Sequence, residues 1–185
     1  LPGPGDSTGP RRGLGCRMDT TASLGLLGFV GACLLVSTTG AFFRPGAWYE
    51  RLRKPWWRPP NWVFAPAWGV LYLCIAVSGW LVWREAGFAG AAAPLAIYGA
   101  QLALNAAWSA IFFGLRRPDL AFAEILALWL SIAATMAAFF PVHAGAAWLL
   151  APYLCWVSFA AALNFAVWRL NRAAPAGLGG EAASR

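Results

Sequence analysis

The chain has 185 residues, 60% of them hydrophobic and only 11% charged, with a mean hydropathy of +0.58. An average soluble domain carries roughly 25% charged residues, so a soluble fold of this size would lack the polar side chains to cover its outside. The net charge of +7 lies mostly in loops and tails beside apolar runs, which assigns it to membrane topology and lipid headgroups rather than to a nucleic-acid patch.

In chain order, residues 1–21 come first. The stretch LPGPGDSTGPRRGLGC is rich in Gly and Pro and reads as a disordered tail. Met18 directly precedes the first apolar run and is a candidate natural start of translation. Five runs follow at 22–43, 63–83, 94–115, 120–140 and 146–168. Each matches the ~20 apolar residues that a helical span requires. Helix is the expected form because lipid offers no partners to an exposed backbone, and the alternating ~10-residue segments of a membrane barrel are missing. The first run is too long for a signal-peptide core and reads as a retained helix. The expected fold is an all-α integral membrane protein, a five-transmembrane-helix bundle over 22–171, with a flexible tail at 172–185.

Short connections at 84–93, 116–119 and 141–145 make neighbouring spans antiparallel. Only the first loop, 44–62, has room for structure of its own. Arg44, Arg51, Arg53, Lys54 and Arg58 of that loop fall on the same side as Arg116, Arg117, Arg169, Arg172 and Arg185. The other side holds Arg84 and the tail residues Arg11, Arg12 and Arg17. By the positive-inside rule, loop 44–62 and the C-terminus are expected on the cytoplasmic side.

The usual catalytic constellations do not occur: there is no GxSxG, Walker loop or HExxH. Cys16, Cys33, Cys74 and Cys155 are isolated, and the single His143 has no companions at ligand spacing, so neither a metal site nor a disulfide is expected. Nothing in the chain calls for a cofactor. Glu124 is the sole acid inside a span and so a functional candidate, but its place just over one turn past Asp119 predicts that it reaches interfacial water.

The third span carries two stripes. Tyr98, Gln101, Asn105, Trp108 and Phe112 recur at three and four residues along one face. Gly99, Ala103 and Ala107 repeat every four residues on the opposite side, where small residues let helices approach closely. The first face reads as a cavity wall, with Gln101 and Asn105 either contacting a ligand or binding neighbouring helices together. The second reads as a contact, either within one subunit or across a homodimer.

Residues 54–68 read KPWWRPPNWVFAPAW. Pro55, Pro59 and Pro60 stiffen the loop and hold Trp56 and Trp57 in fixed places. Beyond them Phe64, Trp68 and Tyr72 stand at i, i+4 and i+8, an aromatic wall on the second span. A rigid aromatic lid over an aromatic wall suits a large, flat, mostly apolar ligand.

This segment closely resembles the tryptophan-rich sensory protein family, also called the translocator protein or peripheral benzodiazepine receptor family. QLALNAAWSAIFFG at 101–114 and PYLCWVSFAAALNFAVWRLN at 152–171 resemble the same family, and the likeness covers about 22–171. It implies a five-helix bundle, usually a homodimer, that binds tetrapyrroles such as protoporphyrin IX and haem in a pocket beneath the first loop. In bacterial members it implies a link to tetrapyrrole homeostasis and stress responses. Positions matching the family's pocket are Tyr49, Trp56, Trp68, Tyr72, Asn105, Trp108, Trp156 and Ala160. The resemblance also admits a light-dependent porphyrin-degrading activity, with Trp68 and Trp156 as participants, or transport of porphyrin- or sterol-like ligands. Sterol is the poorer expectation, because the pattern proposed for animal members asks for Tyr where Phe165 stands.

Overall fold

The computed structural model describes residues 20–43 and 46–172. Of the tails expected at 1–21 and 172–185, Met18, Cys16, Arg11, Arg12, Arg17 and Arg185 lie outside the described residues, as does Arg44 of the first loop. The elements are α1 (Thr20–Phe42), α2 (Ala47–Arg51), α3 (Asn61–Gly90), α4 (Ala92–Ser109) running on through a π-helical turn (Ala110–Gly114), α5 (Pro118–Phe139), α6 (Ala144–Leu149) and α7 (Ala151–Arg172). Five helical runs are long and apolar enough to cross a membrane: Thr20–Phe42, Asn61–Gly90, Ala92–Gly114, Pro118–Phe139 and Ala144–Arg172. The molecule is an all-α, five-span membrane bundle.

The outside of the bundle is greasy, as a hydrocarbon solvent demands. Leu24, Leu27, Leu34 and Leu35 of α1 are largely exposed, and Cys33 is the one buried residue of that helix among the described residues. Ser37, Thr38 and Thr39 turn their hydroxyls back onto the carbonyls of Leu34, Leu35 and Val36 at 2.7, 2.6 and 2.8 Å. Local bonds of this kind satisfy polar groups that lipid cannot.

Helix α3 runs further than the apolar pattern implies. Arg84 and Glu85 continue it as good helix formers, with the Arg84 guanidinium 4.6 Å from the Trp80 ring centre. Gly87, at φ 66, bends the last turn, and Ala91 alone separates α3 from α4. Pro118 opens α5 at a position where its missing N–H costs nothing, and Asp119 lies in that first turn.

Around the bundle α1 packs on α3 and α4, α4 on α5, and α5 on α7, while α3 and α7 meet only sparsely. Loop 46–60, the α4–α5 turn and the end of α7 share one end of the molecule. The Arg53 N–H donates to Asn171 Oδ1 at 3.0 Å, and Asn171 Nδ2 donates back to the Arg53 carbonyl at 2.9 Å. At that end the Leu115 N–H reaches the Ala110 carbonyl at 2.9 Å, the wider i to i−5 bond of the π turn. Such turns gather at functional sites. This one leaves Phe112 buried.

Candidate functional site

Three helices meet at Asn105. Its position one turn before the end of α4, on the buried stripe with Tyr98 and Gln101, points the amide inward. Tyr72 of α3 donates its hydroxyl to Asn105 Oδ1 at 2.9 Å, and Asn105 Nδ2 donates to the Tyr153 hydroxyl of α7 at 2.7 Å. Trp68, one turn before Tyr72, covers this bridge with its ring 5.3 Å from that of Tyr72 and 6.2 Å from that of Tyr153. Asn105 is therefore bound to neighbouring helices, whereas both amide atoms of the wholly buried Gln101 have no partner among the described residues.

A chain of aromatic edges runs beside the bridge. Phe64 meets Trp156 at 5.7 Å, Trp156 meets Phe159 at 5.9 Å, and Phe159 meets Trp57 at 5.8 Å. At the sparse α3–α7 seam an open apolar recess of about 570 Å³ is lined by Val70, Leu71, Pro152, Cys155, Trp156 and Phe159, among others.

Tyr49 belongs to a second group, at the loop end. Its ring is buried against Phe112 and Phe113 at 6.2 and 5.5 Å, Lys54 Nζ stands 4.6 Å over its face, and Arg58 Nη1 donates to its hydroxyl at 3.3 Å. Trp108 stacks on Phe112 at 5.1 Å and packs against both hydrophobic cores, linking the two groups. Ala160 is half-buried against the main core, one turn past Trp156.

The structure thus unites Trp68, Tyr72 and Asn105, puts Trp156 and Ala160 alongside, and sets Tyr49 and Trp108 toward the loop. Trp56 is brought to none of them: it is 94% exposed, and it is Trp57 that closes over Phe159. Tyr153 and Phe159 escaped the sequence reading, although Tyr153 and Trp156 share a three-residue spacing on α7. The expectation that Glu124 reaches interfacial water is overturned. Both carboxyl oxygens are buried without a partner, as are both amide atoms of Asn164 and the Trp108 Nε1. The cause is rotation of α5, whose inward face carries Ala121, Ile125 and Leu128 and takes Glu124 with it. On the other side of α4, Gly99 and Ala103 are exposed and Ala107 half-buried. A methyl group added at Gly99 would meet nothing within 4 Å.

A five-span helical bundle with an aromatic, amide-centred interior defines a multi-pass membrane protein with no soluble domain among the described residues. Residues 29–169 match the TspO/MBR family model, and the chain belongs to that family. It is 45% identical over 145 residues to a tryptophan-rich sensory protein of Cereibacter sphaeroides, covering 78% of this chain and 90% of that one. It is 44% identical over 145 residues to Protein CrtK of Rhodobacter capsulatus, with 76% and 88% covered. To the translocator protein of Homo sapiens it is 43% identical over 150 residues, with 78% and 89% covered.

Proposed function

We propose that the chain is a membrane sensory or regulatory protein that binds a tetrapyrrole, protoporphyrin IX or haem, in tetrapyrrole homeostasis and stress response. The observation that carries this reading is the Tyr72–Asn105–Tyr153 bridge under Trp68, with an apolar recess against Trp156 beside it. A volume of about 570 Å³ falls among pockets that take drug-sized ligands, ~300–1,000 Å³. Stacking on Trp156 and Trp68 would hold a flat macrocycle through its faces. Asn105, already exchanging bonds with two hydroxyls, is the polar handle that can re-aim toward a ligand nitrogen or carboxyl. The ligand-facing set is Trp68, Tyr72, Asn105, Trp156 and Ala160, with Tyr49, Trp56 and Trp108 completing it from the loop side when a ligand is bound. Phe165 stands where the sterol pattern asks for Tyr and carries no hydroxyl, which favours tetrapyrrole over sterol.

Loop 44–62 and the C-terminus are read as cytoplasmic, since Arg51, Arg53, Lys54, Arg58, Arg116, Arg117, Arg169 and Arg172 gather at one end and Arg84 stands at the other. The exposed Gly99 and Ala103 make a face of α4 that a second copy would cover. One observation favours a second activity: the Trp156 ring borders the recess, where an excited porphyrin could exchange an electron with the indole, dissolved dioxygen then serving as the oxidant that opens the macrocycle in light.

Titration of purified protein with protoporphyrin IX, followed by tryptophan quenching in the dark and by porphyrin absorbance under light, tests both readings. Saturable quenching weakened by Asn105→Ala, with porphyrin intact after illumination, supports the sensor. Light-dependent loss of porphyrin that requires Trp156 supports the degrading activity. No saturable quenching removes the tetrapyrrole.

A further inference from the structure

At the loop end, away from the Asn105 bridge, lies a smaller pocket of about 210 Å³ lined by Gly46, Ala47, Trp48, Arg51, Phe113 and Arg116. Its volume is below the ~300–1,000 Å³ of pockets that take drug-sized ligands, so a tetrapyrrole does not fit inside it. Two arginines, Arg51 and Arg116, line it. Neither has a hydrogen-bond, ion-pair or ring partner among the described residues. The nearby charges are otherwise engaged: Lys54 lies 4.0 Å from Glu50, Arg117 holds Asp119 at 2.7 Å, and Arg58 bonds Tyr49 and Asn61.

The pocket walls are built by the fold. Trp48 packs on Phe112 at 6.0 Å and Tyr49 on Phe113 at 5.5 Å, which docks α2 against the π turn. The chain then leaves that turn through Arg116 at φ 55, the one non-glycine residue with positive φ among the described residues. A left-handed conformation is unfavourable for a residue with a Cβ and persists where the surroundings impose it. Here it accompanies a second arginine at the pocket that holds Arg51. Two like charges lining a small cavity repel unless an anion lies between them, and a guanidinium fork matches the oxygens of a phosphate.

We infer that the pocket between Arg51 and Arg116 is a binding site for a phosphate group. The two sources of that chemistry are the headgroup of an anionic phospholipid and free phosphate. The position favours the headgroup: the pocket lies at an end of the spans, with Trp48 and Phe113 as its apolar floor, and basic pockets among membrane helices take anionic headgroups.

The test is retention of dioleoyl phosphatidylglycerol against dioleoyl phosphatidylcholine by the full chain in non-ionic detergent, read by native mass spectrometry. It is run on the wild type, Arg51→Gln, Arg116→Gln, the double variant and Arg53→Gln, with helix content checked by circular dichroism. The expected result is preferential retention of phosphatidylglycerol, weakened about fivefold by each pocket substitution and about thirtyfold by both, and unchanged by Arg53→Gln, an exposed arginine outside the pocket. Should Arg116→Gln disturb the turn, Arg51→Gln decides alone, because that side chain is exposed and unpartnered. A parallel arm adds inorganic phosphate. Displacement of the lipid by millimolar phosphate identifies a free-phosphate site, and lack of displacement identifies a headgroup site. Equal retention of the two lipids with no binding of phosphate, undiminished phosphatidylglycerol in the double variant, or an equal loss in Arg53→Gln would overturn the assignment.

Discussion

Inside the bundle, the two halves handle the polar groups that face neighbouring helices differently. In the half remote from the first loop, side chains bond to backbone: the Tyr98 hydroxyl donates to the Ile75 carbonyl at 3.1 Å, Ser78 to the Ala146 carbonyl at 2.7 Å, and Trp80 Nε1 to the Ala22 carbonyl at 2.8 Å. Tyr98 also stacks on Phe139 at 5.8 Å, and Gly79 lets both Tyr98 and Phe29 close in. In the half toward the loop, Tyr72, Asn105 and Tyr153 bond one another, while Trp108 Nε1, Glu124 and Asn164, and Gln101 at the boundary between the halves, have no partner among the described residues. A hydroxyl that donates to a helix carbonyl welds two helices and has no proton left to donate. Side chains tied to each other can trade those bonds for a ligand's, and unpartnered ones gain from any ligand that supplies a donor or acceptor. One half is a clamp, and the other is furnished for exchange.

The strongest way to break this contrast is Asn105→Leu. It strands the hydroxyls of Tyr72 and Tyr153, and a loss of about 3 kcal/mol follows from leaving two buried groups unpaired. Unfolding in mixed micelles with increasing dodecyl sulfate would measure it. Protoporphyrin IX affinity of the folded fraction should fall by about tenfold, a loss of about 1.4 kcal/mol.

Gly79→Ala addresses the clamp. Its new methyl carbon would stand 2.8 Å from Tyr98 Cζ and 2.9 Å from the Phe29 ring, and overpacking of this kind costs about 2 kcal/mol. The same unfolding assay should register that loss, while porphyrin quenching by the folded protein stays at the wild-type midpoint. A matching drop in affinity would show that the halves are not separate.

Trp156→Phe keeps an aromatic ring against the recess, so dark affinity should change by less than about threefold, under 1 kcal/mol. Illumination of the same samples sharpens the comparison, since photodegradation would disappear with the indole whereas binding would not.

The smallest effect is expected at Arg116→Gly. Relief of the left-handed conformation is worth about 1–2 kcal/mol, and the added freedom of an unfolded glycine takes back about 0.5–1 kcal/mol. A net gain near 0.5 kcal/mol in the micelle assay, together with loss of phosphatidylglycerol preference, would show that the arginine stays there at a cost to stability.

Much of this architecture can be read along the chain. The thickness of a bilayer imposes a length on each apolar run, lipid imposes helix on it, and one-sided arginines mark which loops share an end. The i, i+4 spacing of Trp68 and Tyr72, and the stripe that includes Gln101 and Asn105, likewise follow from helical period alone. The sequence left other matters open. It could not tell Trp56 from Trp57, because adjacent residues in a proline-stiffened loop differ only in the path the loop takes over α7. It did not bring Tyr153 to Asn105, since that meeting depends on how three helices are rotated against one another. It read Glu124 as reaching water, but the rotation of α5 carried it inward. Arg116 gave no sign of its left-handed turn, which lies just beyond the π-helical exit of α4. Periodicity and composition act within one element, where local geometry suffices. Pairing across helices, and the conformation of the turns that join them, are set by side-chain packing between elements remote in sequence.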